Sequence, residues 1–179
     1  MGENWFYRNR MGTKTLIRVV FGAIWLIDGS LKFQPSTADA VVQMIQSAAQ
    51  GMPQLLAPWF NFWSMTVGQN PAFWVGIIGT CELLIGLALV FGVMRKTVYA
   101  LGMVLSLFIW AVPEALGGPY GPGATDIGTG IIYALVFLAL MSINAGYGPS
   151  RLSVDYWLEK RIKWWHRLAE LGAKAKTKK

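Results

Sequence analysis

Four apolar stretches, roughly 15–33, 72–94, 97–116 and 127–145, are separated by breaks rich in charge, glycine or proline. Each approaches the ~20 residues that a helix rising ~1.5 Å per residue needs to cross a ~30 Å hydrocarbon core. The first, LIRVVFGAIWLIDGSLKF, is interrupted by Arg18, Asp28 and Lys32. Arg18, Gly22, Trp25, Gly29 and Lys32 recur at helical steps of four and three, so one stripe carries both cations and both glycines. An ionised group facing lipid costs roughly 2.5 kcal/mol or more, so this stripe faces protein or a wet cavity.

The later spans repeat the device. Val75, Gly79, Glu82 and Gly86 share a face of the second, which points Glu82 into the bundle. Gly102, Ser106, Trp110 and Glu114 follow at steps of four in the third, with Pro113 ending it, and Asp126, Gly130, Tyr133 and Phe137 line one face of the fourth. The expected fold is all-α: an integral membrane four-helix bundle occupying 1–149, with a basic tail over 150–179. Between the first two spans, 34–70 is expected to form an external lid. Ala38, Val41, Val42, Ile45 and Ala49 make one helical face closed by Gly51 and Pro53, and an aromatic helix follows Pro58. In the tail, Val154, Trp157, Leu158, Ile162, Trp165, Leu168 and Leu171 alternate with basic residues, predicting an amphipathic helix lying on the cytoplasmic leaflet. AKAKTKK at the end reads as disordered.

The formal net charge of +7 over 179 residues raises the question of a nucleic-acid partner. The basic residues answer it by position. Arg8, Arg10 and Lys14 precede the first span, Arg95 and Lys96 join the second to the third, and nine more follow the fourth, while 34–70 and 115–126 have none. That is the positive-inside pattern with both termini cytoplasmic, and the partners it predicts are membrane lipid and, for so small a chain, the subunits of a hetero-oligomeric membrane complex; no nucleic acid is expected. Cys81 is single and His166 lies on the tail, so haem, iron–sulfur and zinc are not expected, and no metal site is assigned. The N-terminal stretch is expected to be retained as a helix instead of serving as a cleaved signal.

An intramembrane carboxylate is by default a functional candidate that needs a named partner. Glu82 is the candidate proton carrier, opposed by Lys32 or by the Asp28 and Lys32 pair, with Lys32 orienting Asp28; Trp25 and Trp110 are the flat surfaces for a quinone-like molecule, joined by Arg18 and Tyr133 as candidate contacts. The same groups can instead close on one another as an ionic network fixing helix register, and the sequence leaves both open.

The stretches RVVFGAIWLIDGSLKF, CELLIGLALVFGVMRK, GGPYGPGATDIGTGIIYALVFLAL and GPSRLSVDYWLEKR together resemble the DoxX/DoxD family of small four-helix membrane proteins. The family includes the small subunit of thiosulfate:quinone oxidoreductase. The resemblance implies a subunit in a prokaryotic plasma membrane, connected with quinone and sulfur redox chemistry, in which Arg18, Lys32 and Glu82 match the family's polar positions. A subunit that only stabilises or encloses a larger complex is the alternative from another class.

Overall fold

The computed structural model describes residues 5–118 and 126–171, and all its regular structure there is helical. Much of the glycine and proline loop ahead of the last long helix, and the terminal AKAKTKK, fall outside the described residues. Four long helices form a ring with up-and-down connectivity: α1 (Trp5–Leu31), α4 (Pro71–Phe91), α5 (Arg95–Ala111) and α6 (Thr129–Tyr147), in which α1 packs on α4, α4 on α5, α5 on α6 and α6 on α1. Of these, α4 and α6 are by length and composition apolar enough to cross a membrane. α1 is 27 residues long but carries Lys14, Arg18 and Asp28, and α5 has 17 residues. The third apolar stretch thus ends earlier than its hydropathy implies. Beyond Ala111 the chain turns at Pro113, passes through left-handed backbone at Ala115 and Leu116, and makes a single 3-10 turn over Ala115–Gly117.

α1 sorts its residues cleanly. Lys14, Arg18, Phe21, Gly22, Trp25 and Gly29 are buried, whereas Leu16, Val20, Ile24, Ile27 and Leu31 are exposed. The cations Lys14 and Arg18 face in beside the aromatics, and a stripe of aliphatic residues faces out, the reverse of the surface of a water-soluble bundle. Leu84, Leu101, Val104 and Leu135 continue the apolar exterior on the other three helices. Glycine permits the closest approach in the ring: a Cβ on Gly22 would lie 2.9 Å from that of Leu89, and one on Gly79 would lie 2.7 Å from that of Lys32. Inside, Phe21, Trp25 and Phe137 pack edge-on, with Phe21 to Phe137 ring centres 4.9 Å apart.

Between α1 and α4 the chain forms the lid. α2 (Thr37–Gly51) and α3 (Ala57–Gln69) are separated by one 3-10 turn, with Pro58 in the first turn of α3, where its missing N–H costs nothing. Ile45, Phe60 and Val67 are buried beneath them, and the Trp59 indole N–H donates to the Ala111 carbonyl at 2.9 Å, tying α3 to the end of α5. At the opposite end, the tail departs from the single surface helix that its periodicity suggests. It breaks at Ile162 into α7 (Val154–Arg161) and α8 (His166–Ala169), which fold back onto α5. Trp157 is exposed, whereas Asp155 is fully buried, because a polar capping interaction and not the apolar stripe anchors the segment.

Candidate functional site

At the lid end, a cavity of about 230 Å³ opens among α1, α4, α5 and α6, lined by Trp25, Asp28, Lys32, Glu82, Glu114 and Tyr133 together with a few smaller side chains. Glu82 reaches it because Gly79 and Gly86, one turn to either side, let α1 come close enough to seal that face of α4. Only 2% of Glu82 is exposed, so its carboxylate depends on protein partners. Its partner is Lys32, whose ammonium lies 3.2 Å from Oε2; among the described residues no directed hydrogen bond reaches that oxygen. Lys32 keeps a quarter of its side chain accessible, so the ion pair has one buried and one wetted member.

The geometry corrects the role given to Lys32. It faces Glu82, while Asp28 is held by the Tyr133 hydroxyl, which donates to Oδ2 at 3.1 Å. Glu114 is also engaged: it accepts from the backbone N–H of Gly130 at 2.8 Å and from the Thr129 hydroxyl, capping the first turn of α6. Three carboxylates line the cavity against one ammonium. Such a lining disfavours a doubly charged anion. Trp25, 2% exposed, has an indole N–H without a partner among the described residues. Trp110 lies beside the cavity and not on its lining, with its N–H donated to the Ile127 carbonyl at 2.8 Å.

A second cavity, about 300 Å³, lies under the lid between α2, α3, α4 and α5. Val41, Ile45, Trp63, Val75 and Phe108 are among its walls, which are apolar but for Lys32. Lys32 and Ile109 belong to the linings of both cavities.

Arg18 belongs to a different constellation at the tail end. It is buried, donates through Nη1 to the carbonyls of Leu89 and Val90, and through Nη2 to Leu152 at 3.1 Å. These acceptors include the orphan carbonyls of the last turn of α4, so Arg18 caps that helix and ties it to the tail. Next to it, Asp155 accepts from the backbone N–H groups of Met94 and Arg95 at 2.8 and 3.0 Å, from Arg95 Nε at 2.9 Å and from the Trp165 indole at 2.8 Å. Arg95 in turn meets Glu159, Glu170 and Asn144, and Asn144 accepts from Lys14 at 2.9 Å. Burial pushes the Glu170 carboxyl above the usual range, against the pull of Arg95.

Of the residues singled out from sequence, the structure gathers Glu82, Lys32, Asp28, Trp25 and Tyr133 around one cavity, and leaves Trp110 at its edge and Arg18 at the far end. Sequence reasoning missed the tail-end network. Arg95 was counted as a topological charge, and Asp155 only as a helix-start residue. The available signal was three acids, Asp155, Glu159 and Glu170, in an otherwise basic segment.

A helical bundle with an apolar exterior, an ionised interior and a lidded end defines the class: a small membrane protein whose polar groups work inside the bundle. The DoxX family model matches residues 13–114, from just before Lys14 on α1 to Glu114 beyond the end of α5, and this chain belongs to the DoxX family of membrane proteins. No curated protein and no solved structure matches it.

Proposed function

We propose that this chain is a four-span, DoxX/DoxD-like subunit of a quinone-linked redox system in a prokaryotic plasma membrane, with sulfur-compound oxidation as the expected setting. The observation that carries the reading is Glu82: a buried carboxylate whose ionic partner among the described residues, Lys32, is a quarter exposed, set in a cavity beside the unpaired N–H of Trp25. Reducing a quinone to the quinol takes two electrons and two protons. Two electrons would come from a partner chain that carries a redox group; the two protons would come from solvent and pass one at a time through Glu82 as its carboxylic acid, with Lys32 facing the carboxylate left after each transfer and Trp25 donating to a ring carbonyl.

The apolar exterior of α1 and α5, continuous with that of α4 and α6, supports four spans, although α1 carries charge and α5 is short. Lys14, Arg95 and the basic tail share one end, which supports placing both termini in the cytoplasm and the lid outside. The test is binding of a short-chain quinone analogue to purified protein, followed by quinone-dependent turnover of its complex. A Glu82→Gln form is expected to lose about a hundredfold or more in turnover; no analogue binding, together with unchanged turnover, would remove the reading.

A second reading has its own support. Leu55 at 89% exposure and Met65 at 70% make an apolar outer lid surface suited to another membrane subunit. A non-catalytic accessory subunit would copurify stoichiometrically with larger chains, and a structure with those neighbours retained would show the lid-end cavity closed and free of elongated density.

A further inference from the structure

We propose that the two lid-end cavities form one bipartite site for an amphiphile, its polar ring in the acidic cavity and its hydrocarbon tail beneath the lid. This rests on the quinone reading and adds where the rest of the molecule goes. Sites for drug-sized ligands run to about 300–1,000 Å³. The polar cavity, at about 230 Å³, therefore holds a head group and little more. Its neighbour, at about 300 Å³, supplies the missing volume and has the opposite chemistry.

Lys32 stands between them and serves both. Its methylene stem borders the apolar cavity while its ammonium turns to Glu82, so a ligand passing Lys32 meets apolar surface on one side and charge on the other. The deep member of the polar cavity, Trp25, offers a donor with no acceptor, which a ring carbonyl would supply. Beneath the lid, the N–H of Trp63 is also without a partner. The lid cavity nevertheless presents only apolar surface, so what it takes is a hydrocarbon chain. The geometry therefore assigns a quinone with a short hydrocarbon tail, ring toward Trp25 and Glu82 and tail against Ile45, Trp63 and Phe108. α2 and α3 then cover the tail, tied down at Trp59.

The full-length protein in detergent, at fixed micelle concentration, is titrated with a dimethoxy-methyl-benzoquinone bearing two isoprene units and with the same ring bearing none. The tailed probe is expected to bind at least about tenfold tighter to the wild type, and Ile45→Trp, which fills the lid cavity, to reduce it to the level of the bare ring, which the substitution leaves unchanged. Because Ile45→Trp can disturb folding, a diazirine at the tail end of the same probe is photolysed on the wild-type protein. Labels on 37–51 and 57–69 are expected. Equal binding of both probes, with labels confined to the outward faces of the spans, overturns the bipartite site and leaves the quinone reading standing. Binding of neither probe overturns both.

Discussion

The two ends of the bundle hold buried charge in opposite ways. At the tail end, Asp155 receives four hydrogen bonds and Arg95 meets three carboxylates and an amide, so the donors and acceptors of this pair are nearly all used within the protein. At the lid end, Glu82 has one ionic contact, Trp25 has none for its N–H, and a cavity lies beside them. Saturated networks rigidify, because every member would be left costly and unpaired by any movement. Under-partnered ones leave valences for a ligand. The two ends thus differ in kind: the saturated network lies at the tail end, and the candidate groups Glu82 and Trp25 sit where partners among the described residues are few.

The sharpest way to break this comparison is to cut one partner at each end. Asp155→Ala strips the caps from the start of α5 and takes one of its three carboxylate partners from the buried Arg95, so a loss of about 3–5 kcal/mol in unfolding free energy is expected, read as a lowered unfolding midpoint in detergent. Quinone-analogue affinity at temperatures where the variant stays folded should be unchanged. If stability held, the tail-end network would be no staple.

A smaller effect is expected from Gly22→Ala. The new methyl would lie 2.9 Å from Val90 backbone nitrogen and Leu89 Cβ, pushing α1 off α4. Overpacking of this kind costs about 1–3 kcal/mol. Because the same contact brings Lys32 to Glu82, analogue binding should weaken as well, which no substitution at Asp155 should do.

Glu82→Gln should change stability by about 1 kcal/mol or less, because the orphaned Lys32 ammonium has access to solvent, in contrast to the buried Arg95. A loss as large as that of Asp155→Ala would mean that the lid end is a second staple and would favour the accessory-subunit reading.

The smallest effect is a pH dependence. Glu170 is raised by burial and by Glu159, and lowered by Arg95 and Lys14. A raised carboxyl pKa means the folded tail binds a proton that the unfolded chain has already released. Its favourable contribution is thus present at the unfolded carboxylate pKa, near pH 4.5, and is lost as pH rises through the folded value. The unfolding midpoint should fall modestly as pH rises above 4.5, and Glu170→Gln should flatten that slope; an unchanged slope would show that Glu170 does not set it.

Much of this could be read directly from the chain. The four apolar stretches, the inward stripe from Arg18 through Lys32, the inward Glu82 and the lid helices broken at Gly51 and Pro58 all follow from helical periodicity and local turn chemistry. These are properties of neighbours in sequence. The tail was misjudged for the same reason. Its apolar spacing suggested one continuous helix, but Asp155 gains more from capping α5, some 60 residues away, than the stripe gains from staying straight.

What the sequence alone determined is which faces of which helices cannot meet lipid, since an ion's aversion to hydrocarbon depends only on the ion and the helical repeat. Which partner each ion takes was decided by tertiary packing. Lys32 could have chosen Asp28 one turn away, and it faces Glu82 because the glycines of α1 and α4 bring the two backbones together. The paired cavities at the lid end belong to that same level, because empty volume is a property of the gaps between elements and is written in none of them singly.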